Sequence, residues 1–132
     1  MVVTGLPLAD RPRVLVIEDA DNIATALEFL ITREGYLHDR MATGNMALRH
    51  IRDTRPDLVL LDVMLPEVSG YEICKGIRDD PELAAVKVLM MTARGSAIAR
   101  QKSLELGADG FISKPFELGE LRAEVRRLLA GG

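Results

Sequence analysis

Asp57-Leu58-Val59-Leu60-Leu61-Asp62 is the stretch on which the fold turns: four consecutive branched apolar residues closed at both ends by aspartate. A half-buried strand would alternate apolar and polar residues; this one does not, so it reads as a strand covered on both faces, as in a parallel sheet between helices. Similar runs lie at Val14-Leu15-Val16-Ile17, Val86 to Met91 and Gly110-Phe111-Ile112, with a weaker one from Tyr36 to Arg40. Between these runs, apolar residues recur every three or four positions. Ile23, Ala26, Leu27, Leu30 and Ile31 share one helical face, with Asp21 as expected N-cap and Gly35 as the C′ stop. Ala47, Leu48 and Ile51 predict a second helix ending before Pro56; Ile73, Cys74 and Ile77 predict a third, opened by Ser69. A fourth, from about Ser96 to Leu106, has only Ile98, Leu104 and Leu106 as strongly apolar residues. The fifth buries Leu118, Leu121, Val125, Leu128 and Leu129 and leaves Arg122, Arg126 and Arg127 to solvent. Five β-α units imply an α/β fold: a doubly wound five-stranded parallel sheet with right-handed crossovers and helices on both faces.

The 132 residues suit one domain with one continuous core. We place a short Pro-containing lead at 1–12 and the folded unit at 13–130. With 17 basic and 20 acidic residues the net charge is only −3, which excludes a basic nucleic-acid binder and an acidic disordered tail. The lone Cys74 cannot form an intramolecular disulfide, and with no signal peptide the simplest compartment is the reducing cytoplasm. One cysteine with the distant His38 and His50 makes no zinc framework, and no apolar run approaches the roughly 18 residues that span a bilayer.

Ligands of such sheets bind beyond the carboxyl ends of the strands. Those ends are polar throughout: Glu18-Asp19 after the first run, Asp62 after the third, Thr92 after the fourth and Lys114 just beyond the fifth. Each has an ordinary reading alone, the acidic pair as helix capping, Asp62 as a turn former, Thr92 as a strand residue and Lys114 as solvated surface. Together they predict three carboxylates, a hydroxyl and an ammonium around one crevice. Carboxylates about 5 Å apart repel by roughly 3 kcal/mol at an effective dielectric of 20, so the cluster calls for a proton or a cation. Oxygen donors without nitrogen or sulfur favour Mg²⁺, or Mn²⁺, and hence phosphoryl transfer with Asp62 as nucleophile. Neighbouring strand residues face opposite ways, so Asp19 is the better direct ligand and Glu18 acts through water. Lys114-Pro115 is a candidate cis peptide. Phe111 reads most simply as a core aromatic, and Met41, Met46, Met64, Met90 and Met91 as packing.

Four motifs in order resemble the receiver domain of bacterial two-component response regulators: Val14-Leu15-Val16-Ile17-Glu18-Asp19; Pro56 to Pro66 with Gly70; Met91-Thr92-Ala93; and Gly107-Ala108-Asp109-Gly110-Phe111-Ile112-Ser113-Lys114-Pro115-Phe116. The likeness runs from Arg13 to about Leu129. It implies a flavodoxin-like strand order 2-1-3-4-5. It implies a histidine kinase or histidine phosphotransfer protein as donor, Asp62 as phosphoacceptor, and Mg²⁺ held by Asp19, Asp62 and the Met64 carbonyl with Glu18 behind water. It further implies that Thr92 swings toward the phosphoryl group, that Ala93 leaves access, that Lys114 holds a phosphoryl oxygen, and that Phe111 turns inward. The face of helix 4, strand 5 and helix 5 would then bind a downstream partner or a second copy, with no nucleic acid or membrane contacted by this domain. The protein would be a signalling phosphoacceptor, limited as an enzyme to its own phosphoryl uptake and hydrolysis. Two positions depart from the commonest pattern. Phe111 lacks a phenolic hydroxyl, and Met64, with Arg94 beside the site, cannot orient water, which predicts slow to moderate hydrolysis.

A magnesium-dependent phosphatase or phosphotransferase of the haloacid dehalogenase type would use a similar Asp, Thr, Lys and metal set. Such enzymes carry a second acid two residues after the nucleophile, where this chain has Met64, and 132 residues leave no room for a cap domain. A flavin module would need an anion cradle after the first strand, where this chain is acidic. A receiver-like module without phosphorylation would not need the full acidic set. No helix-turn-helix or catalytic effector is encoded, so output runs through partners or through other segments of a longer protein.

Overall fold

The computed structural model describes residues 6–93 and 97–130. Strands β1 (Arg13–Ile17), β2 (Leu37–Met41), β3 (Leu58–Asp62), β4 (Lys87–Thr92) and β5 (Gly110–Ser113) form one parallel sheet in the order β2-β1-β3-β4-β5. Helices α1 (Asp21–Arg33), α2 (Ala47–Thr54), α3 (Gly70–Asp79), α4 (Ala97–Glu105) and α5 (Leu118–Ala130) cover its two faces. Among the described residues no helix is long and apolar enough to cross a membrane.

Strand alternation divides the core in two. Val14, Val16, Leu58, Leu60, Leu89 and Met91 pack with residues of α1 and α5. Leu15, Ile17, Val59, Leu61, Val88 and Met90 pack on the opposite side with residues of α2 and α3. Every residue of β3 is buried, which is why its sequence shows no alternation. Each fully buried aliphatic side chain contributes about 1.5–3 kcal/mol, so the central strands dominate the stability of the fold.

Local signals end the elements. Gly35 adopts φ 85°, and the N–H groups of Gly35 and Tyr36 donate to Thr32 and Ile31 carbonyls, closing α1 in a Schellman arrangement. Ser69 caps α3 by accepting the Tyr71 N–H at 3.1 Å. At the lower end of the sheet, Arg78 donates to the carbonyls of Gly107 (2.7 Å) and Val86 (2.6 Å) and to the Asp109 carboxylate (2.7 Å), which also accepts the Val88 N–H.

Three expectations change. Asp21 is the first helical residue of α1, not its cap: Ala20 holds the N-cap position and the Asp21 carboxylate turns to Arg40. Leu118 opens α5 but is 44% exposed, and the helix buries Leu121, Val125 and Leu128 instead. In α4 the large apolar residues face outward, with Ile98 79% and Leu104 43% exposed; Ser103 is the helix's buried residue, and Ala99 and, just past the helix, Leu106 lie partly buried on the core. The expected α4 start at Ser96, and Arg94, lie outside the described residues.

Candidate functional site

The carboxyl ends of β1, β3, β4 and β5 form the rim on which the polar residues sit. Glu18 follows β1, and Asp62 closes β3 on the same side of the sheet as Leu58 and Leu60. One oxygen each from Glu18, Asp19 and Asp62 lies within 4.8 Å of the others. Glu18 and Asp62 are buried at 1% and 3% exposure, whereas Asp19 faces solvent. The Lys114 ammonium donates to Glu18 and stands 3.4 Å from Asp62 Oδ2. The Lys114-Pro115 peptide is cis.

Hydrogen bonds fix the carboxylates further. Glu18 Oε2 accepts the Ala20 N–H at 3.1 Å, and Asp62 Oδ1 accepts the Met64 N–H at 3.2 Å. Burial pushes the Glu18 carboxyl above its ordinary range, and the Asp62 charge adds to this, against the lowering pull of the Lys114 and Ala20 hydrogen bonds. Three carboxylates against one ammonium leave the ionised cluster two charges short of neutrality, with oxygen donors only. That donor set fits a hard divalent cation of the magnesium type.

Thr92, 2% exposed, ends β4 beside Asp62, and its carbonyl accepts the Lys114 N–H at 2.8 Å. Ala93 is exposed just beyond it. Phe111 is set apart from the cluster: it pairs with Met90 in register and lies 9% exposed in the core beneath α3 and α4, already inside. Met46 and Met64, expected to pack, are instead 52% and 64% exposed, and Met64 puts no acid at its position beside the site. Beside the cluster an open cleft of about 610 Å³ is lined by Asp19, Met64, Leu65, Glu67, Tyr71 and Glu72, among others.

Two contributors escape a reading by motif. Gly70, quoted above only as part of a pattern, begins α3 against the site backbone, where an added Cβ would stand 2.2 Å from the Asp62 carbonyl oxygen. Only glycine permits that approach. Arg40 of β2 binds the Glu18 carbonyl with Nε (3.2 Å) and Nη2 (2.9 Å), and Asp21 with Nη1 (2.9 Å). Nothing in the sequence marks it, because an arginine on an edge strand reads as surface.

A doubly wound sheet with an acidic cluster and a lysine at its carboxyl rim is an arrangement suited to phosphate-handling domains. The chain matches the response regulator receiver domain over residues 14–126, and it belongs to that family, the receivers of two-component systems. It is 41% identical over 121 residues to the transcriptional regulatory protein AfsQ1 of Streptomyces coelicolor, covering 92% of this chain and 52% of that protein. The chain spans about half the length of the curated relatives it matches. Among solved structures, a candidate response regulator from Chloroflexus aurantiacus is similar with TM-score 0.87 and 36% identity, covering 92% of this chain and 99% of that one. The receiver domain of the sensor histidine kinase PA1611 from Pseudomonas aeruginosa is similar with TM-score 0.82 and 28% identity, over 91% and 98% of the two chains, and holds a magnesium ion in its active site cleft. These likenesses lend no support to the dehalogenase-type alternative.

Proposed function

We propose that residues 13–130 are a phosphoacceptor switch in which Asp62 takes a phosphoryl group from a histidine kinase or histidine phosphotransfer protein. The observation that carries this is the convergence of Glu18, Asp19 and Asp62 within 4.8 Å beside the Lys114 ammonium. Asp19, Asp62 and the Met64 carbonyl would hold Mg²⁺, or Mn²⁺, with Glu18 behind water; when bound, the ion neutralises charge on the phosphoryl oxygens. An Asp62 carboxylate oxygen attacks phosphorus as the donor's P–N bond breaks, giving an acyl phosphate and free imidazole. Lys114 moves from carboxylate to phosphoryl oxygen, the Thr92 hydroxyl takes another, and Ala93 leaves the approach open.

Output follows from population shift. Contacts made only with the phosphorylated form favour one of two arrangements, and near-complete switching takes about 5.5 kcal/mol. The surface of α4, β5 and α5 is where we place the changed contact, with a downstream protein or a second copy as occupant. Without a phenolic hydroxyl, Phe111 holds its inward position by packing alone. Met64 cannot aim a water at the acyl phosphate, so hydrolysis is slow to moderate and a phosphorylated lifetime of seconds would count against this reading. The discriminating experiment is Mg²⁺-dependent labelling by acetyl phosphate, read by intact mass on wild type and Asp62→Ala. One phosphoryl group on the wild type and none on the variant is expected; full labelling of the variant removes Asp62 from its role.

A further inference from the structure

We infer that Arg40 is a positioning residue for the acidic site, holding the β1–α1 corner in the shape that brings Asp19 to Glu18 and Asp62; this rests on the metal-assisted reading above. Neighbouring residues of an extended strand point to opposite faces. Yet the carboxylates of Glu18 and Asp19 both reach Asp62. The chain must therefore leave β1 at Glu18, and leaving a strand orphans a backbone group.

The ladder shows which group. β1 and β2 pair from Arg13↔Leu37 to Ile17↔Met41, and the last backbone bond is Glu18 N–H to the Met41 carbonyl, 3.1 Å. Continued parallel register would give the Glu18 carbonyl the N–H of Thr43. Among the described residues no backbone N–H reaches that carbonyl; Arg40 supplies Nε at 3.2 Å and Nη2 at 2.9 Å instead. Its third nitrogen, Nη1, meets Asp21 Oδ1 at 2.9 Å. One rigid plane thus fixes the residue before Asp19 and the residue two beyond it. A lysine, with a single compact ammonium, cannot span both points.

Charge and position make opposite forecasts here. Removing a cation near a divalent-ion site tightens binding on Coulombic grounds alone. Removing a positioning group weakens it, by about tenfold at the lower end of what supporting partners of metal ligands contribute. Mg²⁺ affinity is measured by calorimetric titration of the whole chain as wild type, Arg40→Ala, Arg40→Lys and Asp19→Asn, with circular dichroism establishing that each is folded. We expect wild type to bind, Asp19→Asn to lose binding, and both Arg40 variants to bind about tenfold more weakly, although Arg40→Lys keeps the charge. Since affinity is read on folded protein, a role in stability alone leaves it unmoved. Arg40→Ala binding as tightly as wild type, or tighter, overturns the inference, as does full affinity in Arg40→Lys; the lysine variant decides if the alanine variant does not fold. A wild type that takes up no Mg²⁺ overturns the metal reading itself and the inference with it.

Discussion

Replacing Asp19 with asparagine should make the metal-free protein more stable, not less. Asp19 is solvent-facing and lies within 4.8 Å of two buried carboxylates, Glu18 and Asp62. At that distance one like-charge pair costs about 0.9 kcal/mol in a dielectric of 80 and about 3.5 kcal/mol at 20. Lys114 offsets part of the two repulsions, and Asp19's exposure draws the value toward the aqueous limit. The net relief on neutralisation is then about 1–2 kcal/mol, or about 3–8 °C in Tm for a domain of this size. Magnesium reverses the order. An ion bound only by the folded state stabilises wild type by about 1.4 kcal/mol at ten times Kd and about 2.7 kcal/mol at a hundred times, while the variant gains much less.

Thermal melts followed by far-ultraviolet circular dichroism, with chelator and then with Mg²⁺, give all four values. A variant that melts at or below wild type in chelator, and moves upward equally with Mg²⁺, would refute both the electrostatic cost and the assignment of Asp19 to the ion.

Gly70→Ala should lower stability by about 3 kcal/mol or more and weaken Mg²⁺ binding, because the new methyl must displace the Asp62 backbone; urea midpoints and metal titration check the two effects. Burial raises the Cys74 thiol to about 11, so at pH 8 its thiolate is about a hundredfold scarcer than in the unfolded chain, and disulfide-reagent kinetics should show at least that slowing until urea is added. The Arg126 hydrogen bond, outweighing burial, holds the Glu34 carboxyl below its ordinary 4.5, and the charges of Arg126, Arg122 and Arg33 lower it further. Its contribution is therefore complete above pH 4.5 and lost as pH falls through the folded value. Glu34→Gln should be less stable than wild type at neutral pH, with the gap closing in acid; a gap independent of pH contradicts the pairing.

How far the sequence is legible depends on which interactions are local. The buried run ending at Asp62 and the glycine stop at Gly35 are written in short windows, so strands and helix ends read directly. The convergence of strand-end acids follows from topology once the sheet is parallel. Other features depend on contacts distant in the chain. Arg40 gains its role because β1 departs from the ladder 22 residues away. Glu67 sits at φ 69° with its carboxylate held by the Asn45 amide, although glutamate carries no turn signal. In α4 the few apolar residues lead the eye to a buried stripe, yet Ser103 is what the helix buries, its hydroxyl donating to the Ala99 carbonyl at 2.9 Å. Apolar spacing predicts burial only where enough residues share a face.

That weakness of α4 bears on how the proposed switch would operate. α1 buries Ala24, Leu27, Leu30 and Ile31, and moving it would cost several times the roughly 1.5–3 kcal/mol of each large side chain. At the lower end of the sheet Arg78 ties α3, β4 and the segment before β5 together through carbonyls and Asp109. α4 is held less firmly: it buries Ser103 and lays Ala99 on the core, but Ile98 and Leu104 face water, and Lys102 lies over the Tyr71 ring at 4.4 Å, a contact worth about 0.5–1 kcal/mol at an exposed site. The phosphoryl group proposed on Asp62 would add only a few charge-assisted hydrogen bonds, each worth about 1.5–3 kcal/mol. Such a sum approaches the 5.5 kcal/mol of near-complete switching only if the element that moves gives up little of its own packing. By that comparison the proposed phosphorylation of Asp62 would reposition α4, while α1 and the Arg78 junction would stay fixed as the frame it moves against.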